Sequence, residues 1–188
     1  MIDTGRLNEL ANQAEGRLKS NPYPDPRFPP SHYYYFLELL AEEMNPELSV
    51  ELGVCGGGGS LHLARGWGAG KVLGVDYSWD CPENIIHVKD NFPNFEFLLS
   101  DSLRAVNYIK DIYGLIDILF IDSVHTYEHT LNELKAYLPI MNEGGVICFD
   151  DLHRETMKGV WEKLPEPKMR FDHLHSGSTE GGFGCIIT

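Results

Sequence analysis

Three carboxylates and a histidine carry the strongest chemical signal in this sequence. Asp122 opens the tetrapeptide Asp122-Ser123-Val124-His125, and Asp150-Asp151 form a pair. Each group ends an apolar, β-rich run: LIDILFID (115–122) and GGVICFDD (144–151). If the two runs are neighbouring strands, three acids converge above a low-dielectric sheet and raise one another's pKa. A divalent cation removes that penalty, and Mg²⁺ favours carboxylates together with water or substrate oxygens. The plainer alternative is that Asp150 or Asp151 caps the next helix while Asp122 is solvated. His125 lies at the mouth of the same group. There an imidazole can serve as general base or ligand, or it can simply start a helix.

A second set of residues lies upstream. The run LSVELGV (48–54) leads into Glu51-Leu-Gly53-Val-Cys55-Gly-Gly-Gly-Gly59-Ser60. Glycines allow a tight turn and close approach of a ligand, and the amides that open the next helix can bind an anion. Alone, such a stretch reads equally as a flexible turn. Asp76 ends KVLGVD (71–76). An acid about 20 residues past a glycine turn suits a ribose diol. As a lone residue Asp76 would cap a helix; paired with the loop it points to a cofactor. Asp101 and Ser102, at the end of FEFLLSD (95–101), can bond an adenine edge or cap a helix, and the two roles are compatible.

These residues need a scaffold that brings strand ends together. The five β-rich runs alternate with helical stretches after Gly59, near 82–91, at 102–111 and at 126–138. Strands apolar throughout and separated by helices predict a parallel sheet covered on both faces, with ligands at the carboxyl ends of the strands. After a helix near 154–164, the runs MRFDHLH (169–175) and GFGCIIT (182–188) are separated only by SGSTEG. A parallel crossover needs about a dozen residues or more, so these two strands are antiparallel. An ordinary dinucleotide dehydrogenase would continue with another crossover helix. His173 and His175 would share one strand face and are read as structural, and His153 as a neighbour of the acid pair. Upstream, a short amphipathic helix at 6–18 precedes NPYPDPRFPP (21–30), which is stiff and extended because it holds five of the eleven prolines. Ser31 can cap a second helix, HYYYFLELLAEEM. Its run Tyr33-Tyr34-Tyr35-Phe36 reads as core packing or a subunit contact before a substrate wall.

Length and composition bound the reading. The 188 residues fit one domain, with 1–45 as an N-terminal helical and Pro-rich extension. A net charge of −13 argues against nucleic acid and anionic membranes as partners. No apolar run approaches the roughly 18 residues of a membrane span, and MIDTGRLNEL has no apolar signal region. Cys55, Cys81, Cys148 and Cys185 form no CxxC pair, and read as buried free thiols of a reducing, cytoplasmic compartment.

Taken together, Glu51-x-Gly53…Ser60, Asp76, Asp101-Ser102, Asp122 and Asp150-Asp151 resemble the class I S-adenosylmethionine-dependent methyltransferases. The closest likeness is to the small metal-dependent O-methyltransferases of the catechol and macrocin/novobiocin-tailoring kind. VELGVCGGGGS and FIDSVHTYE…LPIMNEGGVICFDD carry most of a resemblance that spans 48–188. It implies a doubly wound, mostly parallel seven-stranded Rossmann-like sheet ending in an antiparallel hairpin. It implies S-adenosylmethionine as cofactor, with Asp76 on the ribose, Asp101 and Ser102 near the adenine, and Gly53 and Ser60 against the methionine end. Glu51, Cys55 and Ser123 complete that set. Asp122, Asp150 and Asp151 are implied as Mg²⁺ ligands, and the 122-to-150 spacing is that of the catechol type. That type has a catalytic lysine where this chain has His125, and the tailoring enzymes often have an aspartate base where it has Ser123 and Val124. The implied activity is metal-assisted methyl transfer to a small-molecule hydroxyl, with Asp122 and His125 at the chemistry and a homodimer as a further expectation. The alternative is a domain that binds S-adenosylmethionine without turnover.

Overall fold

A computed structural model of the chain describes residues 2–20, 32–66, 70–174 and 181–188. The Pro-rich segment 21–30, Ser31 and His175 lie outside the described residues. Two helices, α1 (Thr4–Ser20) and α2 (His32–Met44), precede the alternating part. There β1 (Leu48–Leu52), β2 (Lys71–Asp76), β3 (Phe95–Leu99), β4 (Ile116–Ile121) and β5 (Met141–Phe149) are interleaved with α3 (Gly58–Arg65), α4 (Pro82–Asn91), α5 (Ser102–Tyr113) and α6 (Tyr127–Tyr137). A short α7 (Val160–Lys163), β6 (Lys168–Arg170) and β7 (Gly184–Ile187) follow. The seven strands form one sheet in the order β3-β2-β1-β4-β5-β7-β6. Strands β1 to β5 are parallel, and β7 runs antiparallel between β5 and β6.

The strands form because their side chains are apolar on both faces and both faces are covered. In β4, Ile118 and Phe120 enter one buried layer and Leu119 and Ile121 the other, the period of two expected of a strand. The first layer is closed by α1, α2, α3 and α4, the second by α5, α6 and α7. The aromatic run of α2 packs in the chain's own core. Tyr33 stacks on Phe183 at 5.2 Å, and Phe36 meets Phe171 at 5.3 Å and Phe183 at 5.5 Å. Polar contacts tie the same helix down: Glu38 accepts from Arg17 at 3.0 Å and pairs with the His62 ring at 2.8 Å.

Three expectations differ from the structure. In MRFDHLH only the first residues pair, and Asp172–Leu174 is a 3₁₀ turn. The reason lies in the burial pattern: Phe171 and Leu174 are both buried, a spacing of three that a turn satisfies and a strand does not. His173 therefore sits on an exposed turn. The helix predicted at 154–164 breaks into a 3₁₀ turn at Glu155–Met157 and α7, because Gly159 between them adopts φ 87. Finally, Cys148 and Cys185 are buried, but Cys81 is half-buried and Cys55 exposed. Cys55 has left β1 for a loop at φ 42.

Beneath that loop, Glu51 of β1 is fully buried and accepts a hydrogen bond from Ser60 of α3. Gly59 packs directly over the Glu51 carboxyl, where any Cβ would overlap it. Burial pushes the Glu51 pKa up to about 8, so it is protonated in the fold at neutral pH while it ionises in the unfolded chain above about 4.3. Stability from this group is full below about 4.3 and is lost as pH rises towards 8, at up to about 1.4 kcal/mol per pH unit. Glu51→Gln mimics the protonated form. Its advantage over wild type in urea unfolding should grow between pH 5 and pH 8 and then level off; a constant difference would mean that Glu51 is ionised in the fold.

Candidate active site

The parallel register lines up Leu98, Val75, Leu52, Ile121 and Phe149 across the sheet. One residue further, Gly53 donates to the Val75 carbonyl at 2.9 Å, Asp122 to Leu52 at 2.9 Å and Asp150 to Ile121 at 3.2 Å. Gly53, Asp76, Asp122 and Asp150 thus stand side by side at the carboxyl edge. Gly53 has φ 86, and a Cβ there would overlap the Asp122 carbonyl, so only glycine lets β1 pass the end of β4.

A cleft of about 250 Å³ opens above β1 to β4. It is bordered by Gly53 and Cys55, by Asp76, by Asp101 and Ser102, and by Asp122, Ser123 and His125. Glu51 and Ser60 are not on its wall. Both are buried below the loop and bonded to each other. Asp76 accepts from the Val54 and Cys55 amides at 2.9 and 3.0 Å and from the Ser78 amide at 3.0 Å. Carboxylate oxygens carry further lone pairs, so Asp76 shapes the loop and keeps acceptor capacity. Asp101 caps α5 through the Arg104 amide at 3.1 Å while lining the cleft. Asp80 adds a fourth acid, and no Lys or Arg is among the described residues that line the cleft.

The wall beside Ser102 and Ser123 is a polar network that sequence reading missed. Glu133 of α6 is buried and accepts from Ser123 at 2.7 Å, with His129 Nε2 at 3.0 Å. His129 also meets Ser102 Oγ at 3.3 Å. Burial pushes the Glu133 carboxyl up, against the Ser102, Ser123 and His129 contacts that pull it down. The four-residue spacing of His129 and Glu133 was the available signal, since such pairs share a helix face.

At the other end of the cleft the acids do gather, in an unexpected arrangement. Asp122 and Asp150 face each other at the ends of β4 and β5, and burial followed by the Asp150 charge pushes the Asp122 pKa well above the carboxylate range. Such a pair holds a proton between its members. Tyr33 borders it from α2, and its phenol is held un-ionised by burial and then by Asp122. Asp151, at φ 54, turns its carboxylate to Arg154 at 2.6 Å and to His125 Nδ1 at 3.4 Å. His125 Nε2 lies 3.8 Å from Asp122. Burial lowers the His125 pKa, with Asp151 opposing and Arg154 adding to the effect. Among the described residues no three His, Cys, Asp or Glu side chains surround a point that could hold a metal ion. The expected Mg²⁺ ligand set does not fit as it stands, because Asp151 already faces a guanidinium. The Asp151–Arg154 spacing was visible in the sequence, but nothing there showed that the helix after Asp151 would open into a turn.

Comparison with known proteins places the family and the fold. The family described as "Methyltransferase domain" matches residues 50–152, more than half of the chain. A relative in Acanthamoeba polyphaga mimivirus, "Uncharacterized protein R132", is 28% identical over an alignment 130 residues long that covers 63% of this chain. The chain spans only 58% of that relative's length. Among solved structures, an O-methyltransferase from Bacillus cereus in complex with SAH has a TM-score of 0.68 at 18% identity, over 100% of this chain and 93% of the other. Cofactor-bound Rv0187 from MTB gives 0.69 at 18%, over 95% and 89%. The O-methyltransferase TomG from Streptomyces achromogenes, in complex with SAM, gives 0.64 at 18%, over 96% and 90%. At these identities the likeness is one of fold, including the antiparallel β5-β7-β6 end. The family match covers β1 to β5 and with them every strand end that borders the cleft, so the chain belongs to the methyltransferase-domain family.

Proposed function

We propose that the chain binds S-adenosylmethionine in this cleft and transfers its methyl group to a hydroxyl of a small molecule. The observation that carries the reading is the charge of the cleft. Asp76, Asp80 and Asp101 line it, with the proton-sharing Asp122 at one end, and no Lys or Arg is among the described lining residues. A sulfonium cofactor gains from such a wall, whereas the pyrophosphate of a dinucleotide would be repelled. The SAH and SAM carried by the Bacillus and Streptomyces neighbours support the same choice. In this reading Asp76 holds the ribose and Asp101 and Ser102 the adenine, with Ser123 on the same wall. Gly53 and Cys55 border the methionine end. Glu51 and Ser60 act from below by fixing the loop. The four free cysteines fit a reducing compartment such as the cytoplasm.

The sulfonium already makes the methyl carbon electrophilic. The protein must hold the acceptor oxygen in line with the carbon–sulfur bond, and positioning is the larger part of the work. As the oxygen attacks, that bond breaks and its electron pair stays on sulfur. The acceptor proton goes to His125 Nε2, which faces the cleft while Asp151 lies behind Nδ1. The depressed pKa keeps this imidazole neutral and able to accept at neutral pH. Asp122, Asp150 and Asp151 would hold the divalent cation implied by the resemblance only if Asp151 left Arg154.

Calorimetry should show S-adenosylhomocysteine binding and no binding of NAD. Asp76→Ala should weaken that binding by roughly 10- to 150-fold, the loss of a charged acceptor worth about 1.5–3 kcal/mol. NAD binding without the adenosyl ligand would overturn the cofactor choice. With a panel of phenols and diols as acceptors, His125→Ala should keep cofactor affinity but lose about 10²–10⁴-fold in kcat. The wild-type rate should hold through the ordinary imidazole range and fall only at a lower pH, because burial depresses the His125 pKa, and the variant should lose this limb. A chelator in excess should leave turnover unchanged; a metal-dependent rate would return Asp122, Asp150 and Asp151 to the role of ligands.

A further inference from the structure

We propose that His129, held in place by the buried Glu133, reads the 6-amino group of the cofactor's adenine by accepting its hydrogen bond at Nδ1. This role rests on the cofactor reading above and names the group that selects the base. His129 lines the cleft beside Asp101 and Ser102. Its Nε2 stands 3.0 Å from Glu133 Oε1 and 3.3 Å from Ser102 Oγ. Glu133 is completely buried and accepts the Ser123 hydroxyl on both carboxylate oxygens, at 2.7 and 2.8 Å. A serine, a histidine and an acid side by side invite comparison with a nucleophile triad. Here the serine and the acid meet the same ring nitrogen, so the histidine cannot pass a proton from one side of its ring to the other. The cluster orients the imidazole and leaves the serine hydroxyl unactivated.

With Glu133 as acceptor, Nε2–H is the donor, and a neutral imidazole in that tautomer offers a bare lone pair at Nδ1. Among the described residues no group hydrogen-bonds to that nitrogen. It is left for a ligand. The histidine side chain is only 23% exposed, so a bond made there is largely out of water, where an unmatched polar group costs most. The outer edge of adenine carries a donor, its 6-amino group, next to an acceptor, the ring nitrogen N1. His129 Nδ1 suits the donor. The Ser102 hydroxyl suits the acceptor, and it can rotate to serve as donor or acceptor. Hypoxanthine, with an oxygen in place of the amino group, would set two lone pairs against each other at Nδ1. The oriented imidazole therefore carries the discrimination.

The test compares S-adenosylhomocysteine with S-inosylhomocysteine by calorimetry on the full-length protein. The two ligands share ribose and homocysteine, so the ratio of their affinities reports the base and cancels any loosening elsewhere in the cleft. The wild type should prefer the adenine ligand by about tenfold or more, the worth of one well-placed hydrogen bond. His129→Ala should lose most of that ratio. Glu133→Gln should narrow it too, because an amide can donate to Nε2 and move the ring proton to Nδ1. Should this buried substitution fail to fold, the partly exposed His129→Ala still decides. A wild-type preference for the inosine ligand would place the proton on Nδ1 and overturn the assignment. Equal affinities in the wild type, or an unchanged ratio in His129→Ala, would overturn it as well. In each of these cases S-adenosylhomocysteine still binds and the cofactor reading stands. If the wild type binds neither ligand, the cofactor reading fails and the adenine contact with it.

Discussion

Desolvation of carboxylates at the carboxyl edge of the sheet is the constraint that the rest of the molecule answers. Glu51, Glu133, Asp150 and Asp151 are buried there, and Asp122 opens only to the cleft. An isolated charge in such a place is costly, and each acid is settled differently. Glu51 keeps its proton under the glycine loop. Glu133 gathers two serines and a histidine. Asp122 and Asp150 lean on each other, and Asp151 takes Arg154 and His125. The cofactor wall and the proposed base are by-products of these settlements.

Gly53 divides the cleft into two halves of different character. On its β2 and β3 side the polar groups are fixed by backbone amides, as at Asp76 and Asp101. That suits recognition of a rigid nucleoside. On its β4 and β5 side the groups are ionisable and face one another, which suits proton movement. The close approach of β1 to β4 at this glycine sets the distance between the two halves.

Much of this was legible because the chemistry sits where apolar runs stop. Asp76, Asp101, Asp122 and Asp150 each follow a stretch whose hydrophobicity defines a strand, so the topology alone brings them together. Ser60 was misplaced, because its motif position gives no hint that its hydroxyl turns down to Glu51 and away from the cleft. Arg154 was not read as a partner, since a helix was expected only from about 154 and nothing marked that Asp151, at the end of the strand run, enters the left-handed region. In MRFDHLH, residue preference favoured a strand, but burial of Phe171 and Leu174 overrode it.

The packing of Tyr33 and Phe36 on Phe171 and Phe183 has a consequence for how the molecule is made. These partners of the α2 aromatic run lie 135–150 positions later in the sequence. As the polypeptide leaves the ribosome, this helix emerges well before that covering surface and waits for it. Its aromatic face stays wet until the residues of the last turn and strand arrive. Such sequence-distant closure is slow to fold, and exposed apolar surface during the wait favours aggregation. Shielding by a chaperone in that interval would matter more for the yield of this protein than for the stability of its finished core.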